Sequence, residues 1–185
     1  MQPKDTRTKW EPHIGKFLLS FTAIEHFVTI SIDLLSNKAV SKTARTLLFE
    51  KRTELLLELL ENSRKISKEN KDILFAQLKK ALNLSRNVRN IVAHNHILME
   101  LYKSSNDGNI YESEYIISSR NRSKKLSLSN LISFARETEN LAEEVSETYL
   151  ALVKEHFARS NNAQQAFAAD RKKTHPLKSS VRSLK

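Results

Sequence analysis

Cysteine is absent from this 185-residue chain, which rules out disulfides, thiolate metal sites and thiol nucleophiles and fits a reducing, cytoplasmic setting. Glycine occurs only twice and proline three times, which disfavours a turn-rich β architecture and favours helices. The glycine-rich patterns that cradle phosphates, G-x-x-x-x-G-K-[ST] and G-x-G-x-x-G, are missing, and so is the G-x-S-x-G nucleophile elbow. P-loop, Rossmann and α/β-hydrolase chemistry therefore have no support. The most apolar early stretch, residues 14–35, carries Lys16, Glu25, His26 and Asp33, so no uncharged membrane span of ~20 residues is expected there. The chain opens polar, with Met1-Gln2-Pro3-Lys4-Asp5, and no signal peptide is expected. Six histidines are scattered, only His94 and His96 being close, and no H-E-x-x-H pattern or acidic cluster joins them. No metal and no cofactor are expected.

What is present is a basic, helix-forming chain about one domain long, enough to bury a real core. The net charge is +10, but from Arg159 onward seven basic residues stand against the single acid Asp170, so that this segment supplies +6 of it. The folded part is only mildly basic. The segment 159–185 is expected to be a mobile basic tail, its first turns able to prolong the last helix, suited to a polyanion or simply to solvation.

Apolar residues at helical spacing predict four long helices. The first, about 12–36, carries Ile14, Phe17, Leu18, Phe21, Ile24, Val28 and Leu35. The second, about 41–62, carries Leu48, Leu55 and Leu59 on one face, with Ser41 as a candidate cap. The third starts near Asn70 and buries Leu74, Leu78, Ala81, Ser85, Val88 and Val92; the fourth, about 129–157, buries Leu131, Ala135, Thr138, Leu141, Val145, Tyr149 and Leu152. Between the last two, Asn106-Asp107-Gly108-Asn109 is a strong turn signal flanked by alternating apolar residues, which predicts a β-hairpin over 97–103 and 110–118. Helix three must then stop soon after His94, and its continuation to Tyr102 is the competing reading. Residues 120–125, with Arg120, Arg122, Lys124 and Lys125, read as an exposed basic loop. The fold class expected is all-α, an up-and-down four-helix bundle with a small hairpin inserted between helices three and four, spanning 1–158.

The chemistry concentrates at Arg89-Asn90-Ile91-Val92-Ala93-His94, near the end of helix three. A guanidinium offers a fixed fork of donors to phosphate oxygens. An imidazole is the side chain whose unperturbed titration lies nearest neutrality, and so can move protons there. On a helical wheel Asn83, Asn87, Asn90 and His94 fall opposite Val92, Arg86 about 120° round and Arg89 on the margin. Arg89 and His94 thus diverge by about 140° and meet at one ligand only if a second subunit takes part or the arginine reaches round. Asparagine is a poorer helix former than Lys or Glu, so a row of it suggests a face that is covered or that reads a ligand, the alternative being a modestly unfavourable exposed face of no consequence. Glu25 interrupts the apolar stripe of helix one and is expected to pair with Arg89 or Lys51.

Arg-Asn-x-x-Ala-His at the end of the third helix resembles the R-x(4–6)-H signature of the HEPN superfamily, and the resemblance extends over about residues 14–157. It implies a metal-independent endoribonuclease working as a homodimer, of the kind found in toxins and antiviral defence, with RNA as substrate. It further implies that Arg89 positions the scissile phosphate, His94 transfers protons and Asn90 orients the site. Asn95 and His96 follow where a small residue is common. Arg86, Asn87, Arg120, Arg122, Lys124 and Lys125 are the expected RNA contacts, and an antitoxin or regulatory protein is a possible partner. The alternative is a non-catalytic helical module that binds RNA, a nucleotide or a protein.

Overall fold

The computed structural model describes residues 3–103, 110–119, 121 and 123–174, with side chains described over 8–158 apart from 102, 104–111, 120 and 122. It is mainly helical with one small antiparallel sheet. Helix α1 spans Pro3–Leu35, α2 Lys38–Ala44, α3 Phe49–Asn62 and α4 Lys68–Leu84; a π-turn over Ser85–Arg89 leads into α5, Asn90–His94; the last helix, α6, spans Leu128–Thr174. Helix α1 packs on α3 and α6, and α4 on the same two, so four helices close a ring around a shared core. Phe17, Phe21, Ile24, Leu56, Leu60, Leu78, Leu131 and Leu152 fill it.

Two boundaries depart from expectation for a packing reason. Helix α1 starts nine residues before Pro12, although a proline inside a helix cannot donate to the carbonyl four residues back. Trp10 explains the extension: its ring is fully buried and its indole Nε1 donates to Glu114 Oε2 at 2.9 Å. By length and mean hydropathy the Thr8–Leu35 part of α1 does meet the requirement for a membrane span, despite its charges. Its Phe17, Phe21, Ile24, Val28 and Ile32 are buried in the protein core.

The single helix expected over 41–62 is broken in two. Ala44 and Phe49 are both buried, yet five residues along one α-helix they would stand about 140° apart. Ending α2 at Ala44 and restarting at Phe49 lets both reach the core, at the cost of leaving Leu48 81% exposed at the break. Asn37, not Ser41, caps α2, its Oδ1 accepting from the N–H groups of Ala39 and Val40. The Ser41 hydroxyl donates to Asp33, whose other oxygen accepts from Arg45 at 2.7 Å. Burial alone would raise the Asp33 carboxyl, but the Ser41 hydrogen bond and the Arg45 guanidinium together hold it below its ordinary value.

Helix three ends at His94, and chain pairing follows: β1 (Ile97–Lys103) runs antiparallel to β2 (Ile110–Ile117), with Ile97 opposite Ile116 and Leu98 opposite Tyr115. A third strand, β3 (Lys125–Ser127), pairs with β2 on its other edge, so the expected hairpin is a three-stranded sheet and Lys125 belongs to a strand, not to a loop. Strand residues alternate in facing. Ile116 and Leu126 are buried, with Ile97 packed beside them, and close the inner face; Leu98, Glu100 and Lys125 lie on the outer face, in register with Tyr115 and Ile117. Helix α6 continues through Thr174, past the boundary expected at 158; residues 175–185 of the expected tail, the turn 104–109, Arg120 and Arg122 lie outside the described residues.

Candidate active site

The π-turn positions the candidate residues. Its defining bond runs from the Asn90 N–H to the Ser85 carbonyl, five residues back. Such a turn holds one residue more than an α-turn, and π-turns inside α-helices are frequent at functional sites. The core still claims Ser85, Val88, Ile91 and Val92 along this stretch, which leaves Arg86, Asn87, Asn90 and His94 exposed and Arg89 half-buried. Asn83 and Asn87 lie before and within the π-turn and Asn90 and His94 after it, so the single polar row expected on an unbroken helix is split.

The first half of that row is exposed but tied by hydrogen bonds. Asn87 donates to Asn83 Oδ1 and accepts from Lys124 Nζ at 3.2 Å, so the loop before β3 docks on the helix through Lys124. From the second half, His94 opens onto the sheet. His94 and His96 line an open groove of ≈ 850 Å³ with Leu98, Glu100, Ile117 and Lys125. Asn95 joins the helix end to this wall: its Nδ2 donates to the Ile91 carbonyl at 2.8 Å, and its Oδ1 accepts from the Ser119 N–H at 2.7 Å. An amide with both a donor and an acceptor does what glycine cannot here, which explains Asn at this position. No sequence pattern signalled it, because Ser119 is distant in the chain.

Arg89 points elsewhere. Its Nη2 lies 3.8 Å from Glu25 Oε1, the carboxylate that interrupts the apolar stripe of α1; the two side chains are 34% and 21% exposed. The other partner considered for Glu25, Lys51, is instead held by Glu54 at 2.6 Å, whose hydrogen bond and charge raise the Lys51 amine above its ordinary value. A half-exposed ion pair of this kind contributes at most about 1 kcal/mol, so its main effect is to orient the guanidinium. Arg86 meets Glu50 on α3 in the same way, Nε to Oε1 at 3.3 Å. The structure thus places Arg89, Asn90 and His94 on one short stretch but does not bring Arg89 and His94 to one point: the arginine sits against α1 and the histidine against the sheet. The π-turn ends at Arg89, so the divergence of about 140° follows from the ordinary geometry of α5.

Of the expected RNA contacts, Arg86, Asn87, Lys124 and Lys125 each have a protein partner, Lys125 through 2.6 Å bonds to both oxygens of Glu100. No group of three or more metal-ligating side chains occurs among the described residues. Comparison with protein-family models, with curated proteins and with solved structures gives no match.

Proposed function

We propose that this protein is a metal-independent endoribonuclease of the HEPN type, built on an up-and-down four-helix bundle and acting as a homodimer. The placement of Arg89 and His94 carries the reading: both are accessible, Arg89 is oriented by Glu25, and about 140° separates them on one helix. A second copy related by a two-fold axis resolves that divergence by setting the arginine of one protomer beside the histidine of the other. In the cleavage step the RNA 2′-oxygen attacks the adjacent phosphorus while His94 accepts its proton. The P–O5′ bond breaks, a 2′,3′-cyclic phosphate forms, and the departing 5′-oxygen takes up a proton from the partner's copy of the site or from water. Arg89, oriented by Glu25, stabilises the extra negative charge on the phosphoryl oxygens. Asn90, exposed one residue after Arg89, orients the phosphate. A toxin or defence role, with an antitoxin or sensor as restraint, is the biological setting that fits such an activity.

The second reading, a non-catalytic module that binds RNA, a nucleotide or a protein, is favoured by one observation: both arginines of the π-turn already have carboxylate partners. RNA cleavage in excess EDTA separates the two. The expected result is cleavage by the wild type, with His94→Ala and Arg89→Ala each slowed by about 10²–10⁴-fold. Equal cleavage by all three proteins would remove the catalytic assignment, and RNA binding without cleavage by any would establish the module.

A further inference from the structure

The outer face of the sheet has no role in the cleavage step, yet it is the surface that His94 faces. Its floor is apolar, formed by Leu98 and Ile117, and Leu98, the second residue of β1, is 48% exposed. Polar groups rim that floor: His94 and His96 at the helix end, the Ser118 and Ser119 hydroxyls at the end of β2, and Lys125 on β3. The one acid lining the groove, Glu100, is bound through both oxygens to Lys125, and Lys124 stands next to it in the chain. Lys125 also lies 5.3 Å above the Tyr115 ring, which leaves the aliphatic pair as the open contact surface.

We propose that this groove is a binding site for an unpaired base of single-stranded RNA, the nucleotide attached to the scissile phosphate. A base is flat and apolar on its face and carries donors and acceptors on its edge. Those two features match an aliphatic floor with hydroxyl, amide and imidazole groups around it. The groove volume of ≈ 850 Å³ lies in the range of small-ligand sites and is large enough for a nucleoside. A base seated on Leu98 and Ile117 sets its phosphate toward the side chains of His94, His96 and Lys125, which can donate to phosphate oxygens. Paired bases have their faces covered by neighbours in the stack and cannot lie on such a floor, so the groove selects unpaired RNA. The proposal rests on the nuclease reading for the role of His94, and it adds a subsite that gives the cut its nucleotide preference.

The test is binding of short fluorescent 2′-O-methyl oligonucleotides of A, C, G or U, which lack the attacking hydroxyl, measured by anisotropy with the full chain. Leu98→Ser should weaken the preferred homopolymer about five- to tenfold, the equivalent of losing one apolar contact, and should narrow the differences among the four bases. Leu101→Ser is the matched control: it lies on the same strand at the opposite facing, is 64% exposed, and should bind as the wild type does. Lys125→Gln should lower the salt dependence of binding by about one phosphate contact. Leu98→Met, which keeps the apolar surface, should restore affinity, and emission from Trp10, the only tryptophan, checks that the sheet stays docked through Glu114. Unchanged affinity and base preference in Leu98→Ser would overturn the proposal. So would an equal loss in Leu101→Ser or a failure of Leu98→Met to rescue. Binding with the Leu98 effect but no cleavage would remove the nuclease reading and leave the subsite. Cleavage without the Leu98 effect would do the reverse.

Discussion

The ring of helices and the edge where α5 meets the sheet are built from the same residue types with opposite outcomes. In the ring, leucines such as Leu56, Leu60, Leu78 and Leu152 are fully buried, and polar groups tie helix to helix, as where Glu155 on α6 accepts from the Ser67 N–H and from Asn70 at the start of α4. At the edge, Leu98, Met99 and Leu101 are exposed, and Arg89 and Lys125 pair with Glu25 and Glu100. Burial stabilises; exposure of the same side chains offers contact. The difference makes the two regions separable by mutation.

The largest expected effect belongs to the ring. Leu78→Ala removes a fully buried side chain and leaves a cavity, so urea unfolding should show a loss of about 2–5 kcal/mol. Leu98→Ser, by contrast, should change stability by about 0.5 kcal/mol or less. Equal losses in the two variants would break the comparison. A smaller effect comes from pH and again belongs to the ring. Burial lowers the His156 imidazole below its ordinary value, with the Lys65 charge adding to it. A group lowered on folding contributes stability that is complete above its unfolded value and fades as pH falls through the folded one, because the unfolded chain then binds the proton more readily. The urea midpoint should therefore hold steady at and above neutrality, decline first as pH drops below the ordinary histidine range, and decline again below the ordinary carboxylate range as Asp33 is protonated. His156→Asn should flatten the first decline and leave the second. A first decline unchanged in His156→Asn would assign it to another group.

The ring was legible in the chain because its information is periodic. Stripes at helical spacing placed the long helices, the Asn106–Asn109 turn signal placed β1 and β2, and Glu25 announced its ion pair by interrupting an apolar stripe. What escaped was set by tertiary contact. The break before Phe49 falls in a stretch whose leucines continue the helical rhythm, so only the joint burial of Ala44 and Phe49 reveals it. The start of α1 ahead of Pro12 depends on a hydrogen bond from Trp10 to a strand about a hundred residues later. The π-turn contains no glycine or proline to mark it, and β3 is three residues long, too short for an alternating pattern. At the site, the residue types were readable, but the groove was not, since helix end, hairpin and β3 create it together.

In the proposed dimer, Arg89 of one protomer and His94 of another complete a single site. Complementation tests it most directly: Arg89→Ala and His94→Ala chains are coexpressed, purified together and assayed on single-stranded RNA in EDTA. Each variant alone should be inactive, while random pairing makes half of the dimers mixed, each with one intact composite site, so about a quarter of wild-type activity should return. A mixture no more active than the two variants assayed separately would exclude a site shared between protomers.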